Sequence, residues 1–138
     1  MSFGENIAPF LGRSLIALFF SLTGLAQLRD WGGMRLTLLS HGISPPDVFL
    51  AIAVVIEFGG AFALVLGFRA RLAALTLFVL IVAASLAMNE FWKIDDAEMA
   101  NAQLQLFLRN IAIAGGLLVI VGMGAGRWSY DTWRDGSQ

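Results

Sequence analysis

The sequence predicts an all-α integral membrane protein: a four-helix bundle of antiparallel, up-and-down spans with short loops, forming one transmembrane domain over residues 1–138. Three observations carry this. The chain is 58% hydrophobic and 14% charged, against roughly 45–50% and about 25% in an average soluble domain. Its mean hydropathy is +0.77, whereas a soluble protein this small exposes most of its surface and needs charge to cover it. Four stretches are also long and apolar enough to cross a hydrocarbon core about 30 Å thick, which takes roughly 20 helical residues at about 1.5 Å of rise each.

The spans follow in order at about 7–28, 48–68, 72–92 and 104–126. Fifteen uncharged residues separate Arg13 from Arg29, and extension back to Ile7 completes span one, with Pro9 in its opening turn, where a missing N–H costs nothing. Span two is interrupted only by Glu57. Eighteen uncharged residues lie between Arg71 and Glu90 in span three, and seventeen between Arg109 and Arg127 in span four. The connection Phe68-Arg69-Ala70-Arg71 is so tight that spans two and three must lie antiparallel, side by side. Lys93 to Gln103, with Asp95, Asp96 and Glu98, is a solvated acidic connection. Between spans one and two, Met34, Leu36, Leu38 and Leu39 accompany Arg35 and His41, the pattern of a short helix in the interface. Gly42 is placed to end it, and Pro45-Pro46 restarts the chain. Span one is read as retained rather than as a cleaved signal peptide, since its cationic flank is Arg13 alone and no small-x-small site follows Gly24.

Composition also excludes functions. A net charge of −1 provides no basic field for nucleic acid. With no cysteine there is no disulfide, thiolate metal site or thiol redox chemistry. No metal-spacing cluster, nucleotide-binding glycine loop or nucleophile constellation is visible. Four spans put both termini on one side, which holds Arg69, Arg71, Arg127 and Arg134, with Arg13 near its edge. The positive-inside rule makes that side cytoplasmic. Trp31 and Trp92 then anchor one interface, and Trp128, Tyr130 and Trp133 the other.

Glu57 is the most informative residue, near the middle of span two. A carboxylate at that depth should face the interior, be paired, or be protonated. It reads either as a proton-accepting or ligand-orienting group or as a structural hydrogen bond that fixes helix register. Its neighbours Ala53, Gly60 and Ala61 mark a helix-packing face. Arg13 heads a stripe with Ala17, Ser21 and Gly24; it either snorkels outward or reaches down toward Glu57. On span four, Gln105, Arg109, Ala112 and Gly116 form a stripe with Asn110 beside it, and Arg109 is a second candidate partner for Glu57. Ser85 and Asn89 on span three, and Thr23 and Gln27 on span one, lie in the same half of the bilayer. Glu57, Arg13, Arg109, Asn110, Asn89 and Gln27 are therefore the candidates for ligand binding or proton handling; the competing reading is that helix ends near an interface are simply polar. Gly115-Gly116 and the Gly122-to-Gly126 spacing permit close backbone approach, more within the bundle than between copies. His41 reads as a surface residue.

The chain resembles the DoxX family, small four-helix bacterial membrane proteins related to the small subunit of thiosulfate:quinone oxidoreductase. The residues that carry this are Gly12-Arg13, Phe20 and Gly24, Glu57-x-Gly59-Gly60, Leu66-Gly67-x-Arg69, Phe107-x-x-Asn110, Gly115-Gly116-Leu117-Leu118 and Gly124-x-Gly126-Arg127-x-Ser129-x-Asp131. Gln27 and Asn89 stand where many members carry a lysine and a histidine. The resemblance implies a bacterial inner-membrane protein linked to quinone or sulfur redox. Three functional expectations follow from the residues and the resemblance together: the interior polar groups around Glu57 motivate the first and third, and the missing catalytic motif the second. The first is an accessory or quinone-interacting subunit of a membrane oxidoreductase, with no covalent cofactor, electrons supplied by a partner redox subunit, and quinone as the candidate ligand. The second is a non-enzymatic membrane scaffold or assembly factor; the third is a small-solute transporter, which needs a homo-oligomer to wall a pore.

Overall fold

The computed structural model describes residues 3–88 and 93–124, with side chains from Ile7 onward. It contains five helices and, among the described residues, no strand: α1 (Phe3–Arg29), α2 (Trp31–Ser40), α3 (Pro46–Leu66), α4 (Ala70–Met88) and α5 (Ala97–Met123). Four of them, all but α2, are long and apolar enough to cross a membrane. At most 28% of any span's apolar stretch is buried within the chain, so most of each helix surface is left for lipid or another protein.

The helix ends follow from local chemistry. Asp30 caps α2 by accepting a hydrogen bond from the Gly33 amide, and Gly42, at φ 78°, lets the chain leave that helix. Pro46 occupies the first position of α3, where its missing N–H would be unpaired in any case. Gly67 ends α3 in a left-handed conformation at φ 73°. Its amide donates to the Leu64 carbonyl and that of Phe68 to the Ala63 carbonyl, at 3.2 and 2.9 Å, which closes the helix in two crossed bonds.

Two boundaries differ from the sequence reading. The acidic connection is partly helical, because Asp96 caps α5 by accepting from the Glu98 and Met99 amides. The helix therefore starts at Ala97, not near Leu104. Hydropathy marks where a helix enters lipid, whereas a cap marks where it begins. Pro9 lies inside α1 and not in its opening turn, and the helix passes through it at the cost of one backbone bond. The predicted ends of spans three and four, at 92 and 126, fall outside the described residues, as do Trp92, Trp128, Tyr130, Trp133, Arg127 and Arg134.

α1 packs chiefly on α3, α3 on α4 and α4 on α5, while α1 and α5 touch more sparingly and α2 lies against α3. The buried residues recur at spacings of three or four: Arg13, Ala17, Phe20 and Gly24 on α1, and Leu50, Val54, Glu57, Ala61 and Leu64 on α3. On α4 and α5 they are Ala70, Ala74, Leu77, Ile81 and Ser85, and Asn110, Ala114, Leu117 and Ile120. This is the seam spacing of helices crossing at a shallow angle. It corrects two stripes read from the sequence: Phe20 is buried in place of Ser21, and Asn110-Ala114-Leu117 in place of Gln105-Arg109-Ala112.

Glycines set the distances between helices. A Cβ on Gly24 would lie 2.9 Å from the Phe58 ring, one on Gly60 2.8 Å from the Leu77 side chain, and one on Gly116 3.3 Å from Ile16. Each of these residues thus receives a side chain from another helix. Gly59, Gly115 and Gly122 meet nothing within 4 Å, so of Gly115, Gly116 and Gly122 it is Gly116 that is used between helices, and Gly126 lies outside the described residues. Gly60→Ala is therefore expected to lower stability by about 1–3 kcal/mol through overpacking. Gly59→Ala should be neutral or stabilising by up to about 1 kcal/mol from helix propensity. Thermal unfolding of both variants in the same lipid or detergent checks the contrast.

Candidate functional site

Two polar centres lie at different depths. The first is Arg13, only 2% exposed. Its guanidinium donates to the backbone carbonyls of Leu64 and Val65 and lies 5.5 Å from the Phe10 ring centroid. These carbonyls belong to the last turn of α3, where the helix lacks internal donors and carries its partial negative charge. Arg13 therefore neither snorkels outward nor pairs with Glu57. It joins α1 to the end of α3, a role that side-chain pairing rules cannot reveal because its partner is backbone. Replacing Arg13 by Leu should cost about 1.5–3 kcal/mol, the range for charged hydrogen bonds. Arg13→Lys should recover only part of this, since one ammonium cannot match the planar fork. Chemical or thermal denaturation of the folded membrane protein is the measurement.

The second centre is a cavity of about 130 Å³ between α1, α3, α4 and α5, whose polar lining is Thr23, Gln27, Glu57, Arg109 and Asn110. Four of the six predicted candidates thus meet in one place. Asn89 lies outside the described residues, and Arg13 belongs to the other centre. Glu57 is 3% exposed and shares a side-chain hydrogen bond with Gln27. The other oxygens of this pair, Glu57 Oε2 and Gln27 Oε1, are buried and have no hydrogen-bond partner among the described residues. Asn110 Nδ2 donates to Ser85 Oγ at 2.7 Å, fully inside. Arg109 is exposed, and its guanidinium sits 5.3 Å from the centroid of the Phe19 ring, stacked there rather than ion-paired with Glu57.

The sequence reading missed Phe19, although Phe19, Thr23 and Gln27 recur every four residues, the spacing of one helix face. It also missed that Ser85 serves Asn110. His41 is exposed, its ring bonded to the Thr37 carbonyl at 2.8 Å. Above the cavity, α2 is tied to α3 through Asp47, which accepts from Trp31 Nε1 at 2.9 Å and faces Arg35 at 3.6 Å. Among the described residues, no group of three or more His, Cys, Asp or Glu could hold a metal ion.

The arrangement tests the structural reading of Glu57 directly. Glu57→Gln keeps an acceptor for Gln27 and adds an N–H that can serve Gln27 Oε1, so stability should be unchanged or higher. Glu57→Leu strips the Gln27 amide of its partner and should cost about 1–3 kcal/mol. Melting curves of the two variants beside wild type decide this.

The helices and the buried polar seam define a multi-pass α-helical membrane protein. More particularly, the sequence model of the SURF4 family matches residues 33–135, most of the chain, and the protein belongs to that family. It is similar to "Inner membrane protein YqjF" of Escherichia coli (strain K12), 28% identical over 128 residues that cover 92% of each chain. "Inner membrane protein YphA" of the same organism is 29% identical over 122 residues, 88% of this chain and 86% of its own. A "Surfeit locus protein 4 homolog" of Drosophila melanogaster is 27% identical over 128 residues, 92% of this chain but 41% of its own length. No solved structure matches.

This assignment overturns the resemblance to the DoxX family. The motifs behind that resemblance are general devices of packed membrane helices. Gly12, Gly59 and Gly115 meet no neighbouring side chain, Gly24, Gly60 and Gly116 admit one, and Arg13 satisfies a helix end. The link to quinone and sulfur redox, which came with the resemblance, loses its support as well.

Proposed function

We propose that this chain is a non-enzymatic, multi-pass protein of the bacterial inner membrane that holds another protein at the bilayer. Its four spans act as a single antiparallel up-and-down bundle. The observation that carries this reading is the state of the polar cavity. At about 130 Å³ it is well below the roughly 300–1,000 Å³ of sites that enclose a cofactor or drug-sized ligand. Most of its polar side chains make a contact within the protein, Gln27 with Glu57, Asn110 with Ser85 and Arg109 on Phe19, while Glu57 Oε2 and Gln27 Oε1 have no hydrogen-bond partner among the described residues. Such a centre fixes the register of α1, α3, α4 and α5. The wide apolar outer faces, including Val55, Phe62, Val79 and Val119, are what a partner would meet. The two inner-membrane relatives, aligned over nearly their whole length, favour that membrane.

Arg69 and Arg71 at the α3–α4 turn favour a cytoplasmic location for that end. Two contacts and one connection support placing both termini there. Arg13 in the first half of α1 reaches the end of α3, α4 follows directly, and Gly124 beyond α5 lies against Arg71.

Two measurements test these statements. Protein purified in lipid nanodiscs should carry no stoichiometric quinone and should copurify with a partner chain at fixed ratio. Bound quinone that disappears in Glu57→Gln would instead restore a ligand role for the cavity. Reporter fusions should show both ends cytoplasmic and the α2 segment on the opposite side; a periplasmic N-terminus would reverse the orientation.

A further inference from the structure

Gly59 and Gly60 stand side by side on α3, yet helix packing accounts for only one of them. A Cβ on Gly60 would collide with Leu77, whereas one on Gly59 would meet nothing within 4 Å. A glycine that packing does not require still loosens its helix, so its missing side chain serves something else. What it leaves is a groove of about 270 Å³ on the outer surface between α3 and α4. Gly59, Gly60, Ala63 and Ala73 keep it open. Along α3 it extends from Val55 to Ala63, about 12 Å at roughly 1.5 Å per residue. Its one hydroxyl, that of Thr76, is turned back onto the Leu72 carbonyl at 2.9 Å, which makes the wall apolar in character.

The charge in this groove lies at one end. Arg69 lines it at the turn between the helices, where the spans leave the hydrocarbon, and Arg69 and its neighbour Arg71 are both exposed. An apolar groove that runs inward from an exposed cation at the bilayer surface is complementary to one kind of molecule.

We propose that the α3–α4 groove binds one acyl chain of an anionic phospholipid, with the phosphate of its headgroup on Arg69. The apolar trough excludes a soluble anion as the occupant, and the cation at its mouth favours a lipid of net negative charge over a zwitterionic one. A second copy of this chain is the competing occupant.

The test is native mass spectrometry of the full-length protein titrated separately with phosphatidylglycerol and phosphatidylcholine, with oligomeric state read from the same spectra. Wild type should retain one phosphatidylglycerol with about fivefold preference, the size expected from one cation near an anionic headgroup. Gly59→Leu should abolish retention of both lipids, and Thr76→Leu should weaken it from the other wall, so the result does not rest on one variant's folding. Arg69→Asn, a residue that tolerates the left-handed backbone at this position (φ 45°), should keep the acyl chain but lose the preference. Equal retention of the two lipids by wild type, or undiminished retention by both groove-filling variants, overturns the proposal. So does a wild-type dimer that these variants break while lipid binding is unaffected.

Discussion

A polar group buried among membrane helices has no water to fall back on, and the positions of the four long helices can be traced in large part to meeting that demand. Among the described residues, four buried side chains carry polar atoms: Arg13, Glu57, Ser85 and Asn110. Arg13 holds α1 to the end of α3. Further along α1, Gln27 holds it to the middle of α3 through Glu57, so two polar contacts fix the register of the α1–α3 pair. Asn110 and Ser85 do the same for α4 and α5. Between α3 and α4 a tight glycine-capped turn replaces polar pairing. Apolar packing then fills in around these fixed points, but it could slide by a turn without them, because lipid and core are equally apolar.

Glycine supplies the complementary control. Gly24, Gly60 and Gly116 let Phe58, Leu77 and Ile16 approach a neighbouring helix, which brings polar partners within hydrogen-bonding reach. In the bilayer, dispersion and close contact have to do much of what the hydrophobic effect does in water. The same residue type on the outer surface does something else: Gly59 shapes a groove that the lipid or a partner meets. Two adjacent glycines in one sequence motif thus have separate physical consequences.

This explains how a motif-based resemblance could reach the wrong family. An arginine that satisfies a helix end, an acid bonded to an amide and glycines at crossings are answers to problems that any small helical membrane protein faces. They identify a class of solution rather than a lineage. The redox expectation drew both on that lineage and on the polar groups around Glu57, and the family assignment removes the first of these.

The sequence by itself determined the number of long apolar helices, the short helix between the first two, the tight α3–α4 turn and the place of Glu57 midway along its helix, because each depends on a local run of apolar residues or on a capping residue. It also singled out Gln27, Glu57, Arg109 and Asn110, which the structure groups around a single cavity. Which face of each helix turns inward was decided only by the tertiary structure. In a soluble helix the polar face marks the outside, but here the outside is lipid, so the contrast between Ser21 and Phe20 does not say which of them turns inward, and Ala112 and Ala114 are identical. The partner of Arg13 was hidden for a related reason: it is a pair of backbone carbonyls on α3, some fifty residues away in sequence, and a backbone carbonyl has no side-chain signature to read.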